Sequence, residues 1–270
     1  MKKNDNYVLT EDNYYSHEAN KRYMSVHQYL DFVGHMGVLG CESRAMATLK
    51  GTYVKDKTEA MMVGSYVDAY FEGTLERFKE YNPEIFTQKG ELKAAYKRAE
   101  KMIARAERDK KFMAYMSGEK QVIMTGYLFG CDWKIKIDSY LPDKAIVDLK
   151  TTADLHRAWR VQDYGYANVA EYWAYTLQMA VYQKIVEINT GKRLPCILAF
   201  ITKEDSPELK LCYIDQMTLD HSLNEIEMNM PNVLMVKNGE AEPIGCGKCD
   251  YCKAHDPIQE VINIADLIEV

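Results

Sequence analysis

The sequence predicts an α/β (α+β) fold, a sheet flanked by helices. Three observations carry this. Two strand-like stretches, 133–140 and 145–149, face each other across a Pro142-Asp143 turn. A second pair, CILAFIT (196–202) and LKLCYI (209–214), flanks Ser206-Pro207. Before, between and after these pairs run long stretches with the apolar spacing of helices.

Composition sets the bounds. A chain of 270 residues, 47% of them hydrophobic, can bury one large core with an appended module. No apolar run approaches the ~20 residues of a membrane span. The start, MKKNDNYVLTEDNYY, lacks an apolar signal-peptide core. The expectation is a cytoplasmic protein. The net charge of −6 argues mildly against a generic nucleic-acid binder. It leaves room for an enzyme whose acidic ligands lower the sum while local patches meet DNA.

In chain order, residues 1–22 are polar and Tyr-rich, and a loosely packed arm is expected. Ser25 is a helix cap for a helix reaching Phe32. Gly34, Gly37 and Gly40 break the chain before a helix over 41–49. One helix is expected across 58–78, with Gly64 and Asp68 on one face and Gly64 permitting close approach to the sheet. Another is expected across 89–116. Its Lys93, Lys97, Arg98, Lys101 and Arg105 form either a solvated face or a stripe for a DNA backbone. Gly118 ends it, and 121–129 reads as a strand turning at Gly130.

The stretch GYLFGCDWKIKIDSYLPDKAIVDLK, 126–150, organises the chain. Each strand of its hairpin carries an acid, Asp138 on the first and Asp148 on the second. Asp148 interrupts the apolar run AIVDLK, where a carboxylate is costly unless paired or metal-bound. Lys150 lies two residues on, so on an extended chain it shares a face with Asp148. Two acids and a lysine at adjacent strand ends suit a divalent metal and a polarised water.

After Thr152 a helical stretch to about 161 is expected, with His156, Arg157, Trp159 and Arg160 either meeting a nucleic acid or packing Trp159 while the charges stay solvated. An aromatic-rich helical segment, 163–188, follows. It holds Gln178 and Tyr182, i and i+4 on one face. A helix over 218–230 is expected to be interrupted at Pro231.

The motifs Lys136-Ile137-Asp138, Val147-Asp148-Leu149-Lys150-Thr151-Thr152 and Gln178…Tyr182 together resemble the PD-(D/E)xK nuclease superfamily, in particular its RecB-like, phage exonuclease VIII-type (RecE-like) branch. The resemblance spans roughly residues 62–213. It implies a restriction-endonuclease-like αβββαβ core with a mixed central sheet. It implies Asp138, Asp148, Lys150, Gln178 and Tyr182 as catalytic residues. Mg²⁺ or Mn²⁺ would be held by Asp138, Asp148 and the Leu149 carbonyl. Related nucleases carry a metal-binding His where this chain has Asp68, an oxygen donor suited to Mg²⁺; an exposed helical Asp is the plainer reading. The implied division is 1–56, an N-terminal arm and helices; 57–216, the nuclease core; and 217–270, a C-terminal helix and cysteine tail.

Seven cysteines are unevenly placed. Cys131, Cys196 and Cys212 stand alone in strands and read as small buried hydrophobes. Cys246, Cys249 and Cys252 are clustered and point to a metal site. A fourth ligand is needed, and Cys41 and His255 are the candidates. The resemblance, in which one N-terminal and three C-terminal cysteines hold a [4Fe–4S] cluster, implies Cys41; structural Zn²⁺ is the competitor.

The expected activity is a divalent-metal-dependent deoxyribonuclease. The resemblance implies an exonuclease on duplex DNA ends, working beside a single-strand annealing protein in phage-type recombination or repair, some members forming homo-oligomeric rings. The rival class is a catalytically inactive nuclease-fold module that binds DNA or protein.

Overall fold

The computed structural model describes residues 7–258 and 261–267. The chain opens with three short helices, α1 (His17–Arg22), α2 (Val26–Val33) and α3 (Glu42–Lys50). Ser16 and Ser25 cap the first two through their hydroxyls, and the Cys41 thiol caps the third. The N-terminal segment is not the loose arm its polarity suggests, at least from Tyr7 onward. Tyr14 is buried, and its carbonyl accepts a hydrogen bond from the buried Lys134 ammonium, which also donates to Asn20 Oδ1 at 2.7 Å. A buried cation needs such acceptors, so the segment is tied to the core by a charge.

Two expected long helices are each two shorter ones. Helix α4 (Glu59–Glu72) stops at Gly73, whose φ of 79° is the left-handed conformation of a helix C-cap, and α5 (Leu75–Tyr81) follows. Helix α6 (Ala94–Glu107) gives way to α7 (Lys110–Tyr115), which Asp109 caps by accepting from the amides of Lys111 and Phe112. Competing caps, invisible to apolar periodicity, make both breaks. Gly64 sits where an added Cβ would lie 3.1 Å from Thr151 Oγ1, so α4 lies tight against the sheet at that point.

Strands β1 (Val122–Leu128) and β2 (Cys131–Ile137) form an antiparallel hairpin. Its turn residues Phe129 and Gly130 have φ of 51° and 88°, both left-handed, which suits the twist of a two-residue hairpin. The strand expected over 133–140 is interrupted at Asp138, after which β3 (Ser139–Leu141) begins. Strand β4 (Ala145–Thr152) runs three residues beyond the expected 145–149.

The helix expected after Thr152 is instead a small hairpin, β5 (Trp159–Val161) and β6 (Gly165–Ala167). Asp154 Oδ1 accepts from the His156 amide, and Asp163 and Gly165 adopt positive φ, so turn chemistry outweighs the helical spacing. Helices α8 (Val169–Tyr172) and α9 (Tyr175–Thr190) divide the aromatic segment at Ala174, which has φ 61°. Strands β7 (Cys196–Thr202) and β8 (Leu209–Tyr213) and helices α10 (Gln216–Lys237) and α11 (Asp250–His255) complete these elements. Helix α10 continues through Pro231 rather than stopping there.

The central sheet has the order β3-β4-β7-β8. It is mixed: β3 and β8 run antiparallel to their neighbours, while β4 and β7 are parallel, with Asp148 opposite Leu198 and Lys150 opposite Phe200. Helices cover both faces. Alternation along β4 sends Ala145, Val147 and Leu149 into the apolar cluster under α4, α6 and α7. Ile146 faces the other cluster, built from α2, the β1–β2 hairpin, α9 and α10. Helix α6 is amphipathic, burying Tyr96, Ala99, Met102 and Ile103 while Lys97, Arg98 and Lys101 face solvent. Of the solitary cysteines, Cys196 is buried, Cys131 is half-buried and Cys212 is exposed on the edge strand β8. Among the described residues no helix is long and apolar enough to cross a membrane.

Candidate functional site

The period-two alternation that buries Ile146 puts Asp148 and Lys150 on the same face of β4, toward α9. Asp148 is 2% exposed. Its charge is met on both oxygens. Gln178 Nε2 donates to Oδ1 at 2.6 Å, and Lys150 Nζ lies 2.6 Å from Oδ2. Lys150 Nζ in turn donates to Gln178 Oε1 at 3.0 Å, closing a triangle of acid, amine and amide. The Tyr175 ring lies under the ammonium, 4.7 Å away. Burial alone would lower the pKa of Lys150, but Asp148, Tyr175 and Asp138 raise it, so the amine stays protonated.

Asp138 sits where β2 ends and β3 begins. Its Oδ2 accepts from the Leu149 amide at 2.8 Å, which fastens the first acid to the strand carrying the second. Burial, and then the charge of Asp148, push the Asp138 carboxyl up to about 7. Asp68, on α4, is drawn in from the other side. Burial and the charge of Asp138 raise its pKa well above the ordinary carboxylate range. A small cavity of about 10 Å³ is lined by Asp68, Glu72, Gln121, Asp138 and Leu149, about the space of one water or ion. Tyr182, one turn beyond Gln178, is buried with its hydroxyl at the Gln178 amide, and burial raises its pKa strongly.

Asp68, Asp138, Asp148, Leu149, Lys150, Gln178 and Tyr182 are thus brought together by three elements, α4, β4 and α9, and one strand junction. The donor set of carboxylate and carbonyl oxygens fits a hard divalent cation such as Mg²⁺ or Mn²⁺. Two carboxyls carrying raised pKa values against a one-ion cavity are the expected state of such ligands without the cation's charge. Two residues here escape sequence reasoning. Tyr175 could have been found, because it lies three residues before Gln178 on the same helix. Gln121 could not, since nothing local marks it. A wider groove of about 460 Å³ adjoins the site, reaching from Asp68 past Lys136 and Arg77 to Tyr15 and Tyr81.

The hairpin β5–β6 projects from the end of β4. Trp159 stacks on Tyr172, with centroids 5.0 Å apart and planes at 18°, and the Arg157 guanidinium lies over the Trp159 ring at 5.2 Å. The opposite face shows Arg160 and Tyr166, cross-strand neighbours that are both exposed.

The sulfurs of Cys41, Cys246, Cys249 and Cys252 lie within 4.8 Å of one another. His255 is not among them; its Nδ1 is bonded to the Tyr251 carbonyl at 2.8 Å and its ring stacks on Tyr251. Amides of Arg44, Lys248, Cys249 and Cys252 point at the sulfurs, at 3.3–3.5 Å, which favours thiolates. Four thiol sulfurs converging on one point are the donor set of a structural zinc or of an iron–sulfur cluster.

A mixed sheet with a buried Asp-x-Lys on its parallel central strand, and a second acid fastened beside it, defines the PD-(D/E)xK class. Residues 25–255 match the family described as PDDEXK-like domain of unknown function (DUF3799), and the chain belongs to that family. A solved Eubacterium rectale protein named "Putative exonuclease" is 53% identical, with a TM-score of 0.94 over 97% of this chain and 98% of that one. A second structure, SSO0001, is 14% identical with a TM-score of 0.27, over 66% of this chain and 79% of that one. No curated protein matches the chain.

Proposed function

We propose that the protein is a divalent-metal-dependent DNA nuclease, with Asp68, Asp138, Asp148 and the Leu149 carbonyl holding Mg²⁺ or Mn²⁺. The observation that carries this is the closed triangle of Asp148, Lys150 and Gln178 beside a cavity the size of one ion. A bound cation of this kind acidifies a water and offsets charge on a phosphate. Lys150 would orient or help deprotonate that water and offset phosphate charge. Gln178 holds Lys150 and Asp148 in one geometry, and Tyr182 supports Gln178 from behind. Asp138, anchored by the Leu149 amide, keeps the two strand acids in register.

The name of the Eubacterium rectale neighbour supports exonuclease action, and the choice of duplex ends rests on the resemblance of the motifs to RecE-like nucleases. The test uses end-labelled linear duplex and closed circular DNA with Mg²⁺, Mn²⁺ or EDTA. Metal-dependent loss of the linear substrate alone is expected. Nicking of the circle makes it an endonuclease. Binding without cleavage of either makes it the inactive binding module.

The cysteine group is proposed as a structural metal site that ties the start of α3 to the 246–252 loop. Four protein ligands leave no open position for chemistry. The convergent sulfurs suit either group, and the C-x₂-C-x₂-C pattern favours an iron–sulfur cluster over structural zinc.

A further inference from the structure

We infer that Gln121 is a ligand of the cation site, supplying a neutral side-chain oxygen where Asp68 and Asp138 supply charged ones. This rests on the metal-site reading above and extends it to a residue outside the nuclease motifs.

Four observations converge on it. Its side-chain oxygen Oε1 is buried and has no hydrogen-bond partner among the described residues. Such an atom is rare in a folded protein and calls for an explanation. Its amide nitrogen, 3.4 Å from Asp138 Oδ1, faces the carboxylate and fixes which end of the amide is the donor. The side chain lines the same cavity of about 10 Å³ as Asp68, Asp138 and Leu149. Finally, the residue is held at φ 51°, a left-handed conformation disfavoured for a residue with a Cβ. The Glu119–Tyr140 bridge, with amide–carbonyl bonds of 2.8 Å in both directions, pins the chain two residues earlier and enforces it.

A glutamine kept for packing would satisfy its acceptor and relax its backbone. This one makes a single long bond through its nitrogen and leaves its oxygen free beside two acids. An acceptor without a donor, next to carboxylates that repel one another, is what a hard cation completes. Amide oxygens are ordinary ligands of Mg²⁺ and related ions, and a neutral one adds a bond without adding repulsion.

The test is Mn²⁺ affinity without DNA, read by electron paramagnetic resonance of free Mn²⁺, together with the melting temperature in EDTA. Gln121→Met keeps the length of the side chain and removes the oxygen. It should weaken Mn²⁺ binding by about tenfold, the scale of losing one metal-site partner, and leave the EDTA melting temperature unchanged or higher. Gln121→Glu should bind Mn²⁺ at least as tightly as the parent. Unchanged affinity in Gln121→Met overturns the inference, as does an affinity loss matched by a fall in the EDTA melting temperature. Asp148→Asn separates the two levels. If it loses Mn²⁺ while Gln121→Met does not, the site stands and only the Gln121 assignment fails. If the parent binds no Mn²⁺, or Asp148→Asn binds like the parent, the site reading fails and takes this one with it.

Discussion

Asp148 and Lys150 touch each other, Nζ to Oδ2 at 2.6 Å, and both touch the same amide, that of Gln178. Neither charge is held by its ion partner alone. The amide donates to the acid and accepts from the amine, so its two ends sense both charges at once, and a rotation about it would break two bonds together.

Removing one member of this triangle therefore leaves the other charge buried. Lys150→Met is expected to destabilise the metal-free protein by about 3–5 kcal/mol, the scale of stranding a buried partner. Asp148→Asn combined with Lys150→Met should restore most of that stability and none of the cleavage. Urea denaturation in EDTA checks both. Lys150→Met as stable as the parent would show that solvent reaches Asp148 freely.

The pH dependence follows from Asp138. Its carboxyl is pushed up to about 7 in the fold, against the ordinary 3.8. Between those values the unfolded chain has lost the proton and the folded chain keeps it. Metal-free stability should therefore fall as pH rises through this window, then level off above about 7. Asp68 adds to the same direction. A cation needs the ionised form, so the rise in melting temperature on adding Mg²⁺ should grow from pH 5 to 7. Melting curves with EDTA and with Mg²⁺ test this, and Asp138→Asn should flatten the EDTA series.

The cysteine group predicts a second, independent metal. Purified protein should carry a metal at this group, iron with visible absorbance for a cluster or about one zinc per chain by elemental analysis. Cys252→Ser should lose it. Where the metal stands at 100 times its Kd, the loss is about 2.7 kcal/mol of stability. Cleavage rates at low temperature should survive, because the sulfurs lie outside the nuclease site.

How much of this was legible in the sequence depends on whether the signal was local. Asp148 stood out because AIVDLK places a carboxylate in an apolar run, and the strand 145–149 and the pair 196–202 and 209–214 followed from composition and turns. Cys41 entered only through the resemblance, since two hundred residues separate it from its partners. The hairpin at 159–167 was missed because helical spacing of Trp and Arg looks the same whether or not Asp154, Asp163 and Gly165 turn the chain. Pro231 misled in the other direction: the packing of α10 carries the helix past a residue that usually ends one. Tyr14 and Gln121 were invisible, because the reason for each lies across the fold, in a buried Lys134 and in an ion-sized cavity.

That missed hairpin yields the last prediction. Tyr166 is 72% exposed and Arg160 lies directly opposite it, on the face turned away from the Trp159–Tyr172 stack. An exposed ring beside a guanidinium, next to the end of the strand carrying Asp148 and Lys150, suits a base stacking on one and its phosphate meeting the other. Neither side chain packs on the core, so Tyr166→Ala and Arg160→Ala should leave the melting temperature within about 1 °C of the parent, as surface changes do. DNA binding, measured in Ca²⁺ to suppress cleavage, should weaken by roughly 5- to 100-fold for Tyr166→Ala, the scale of one lost stack. For Arg160→Ala the loss should shrink as salt is raised, because its share is electrostatic. Unchanged affinity in both variants would move the DNA path to the groove past Lys136 and Arg77.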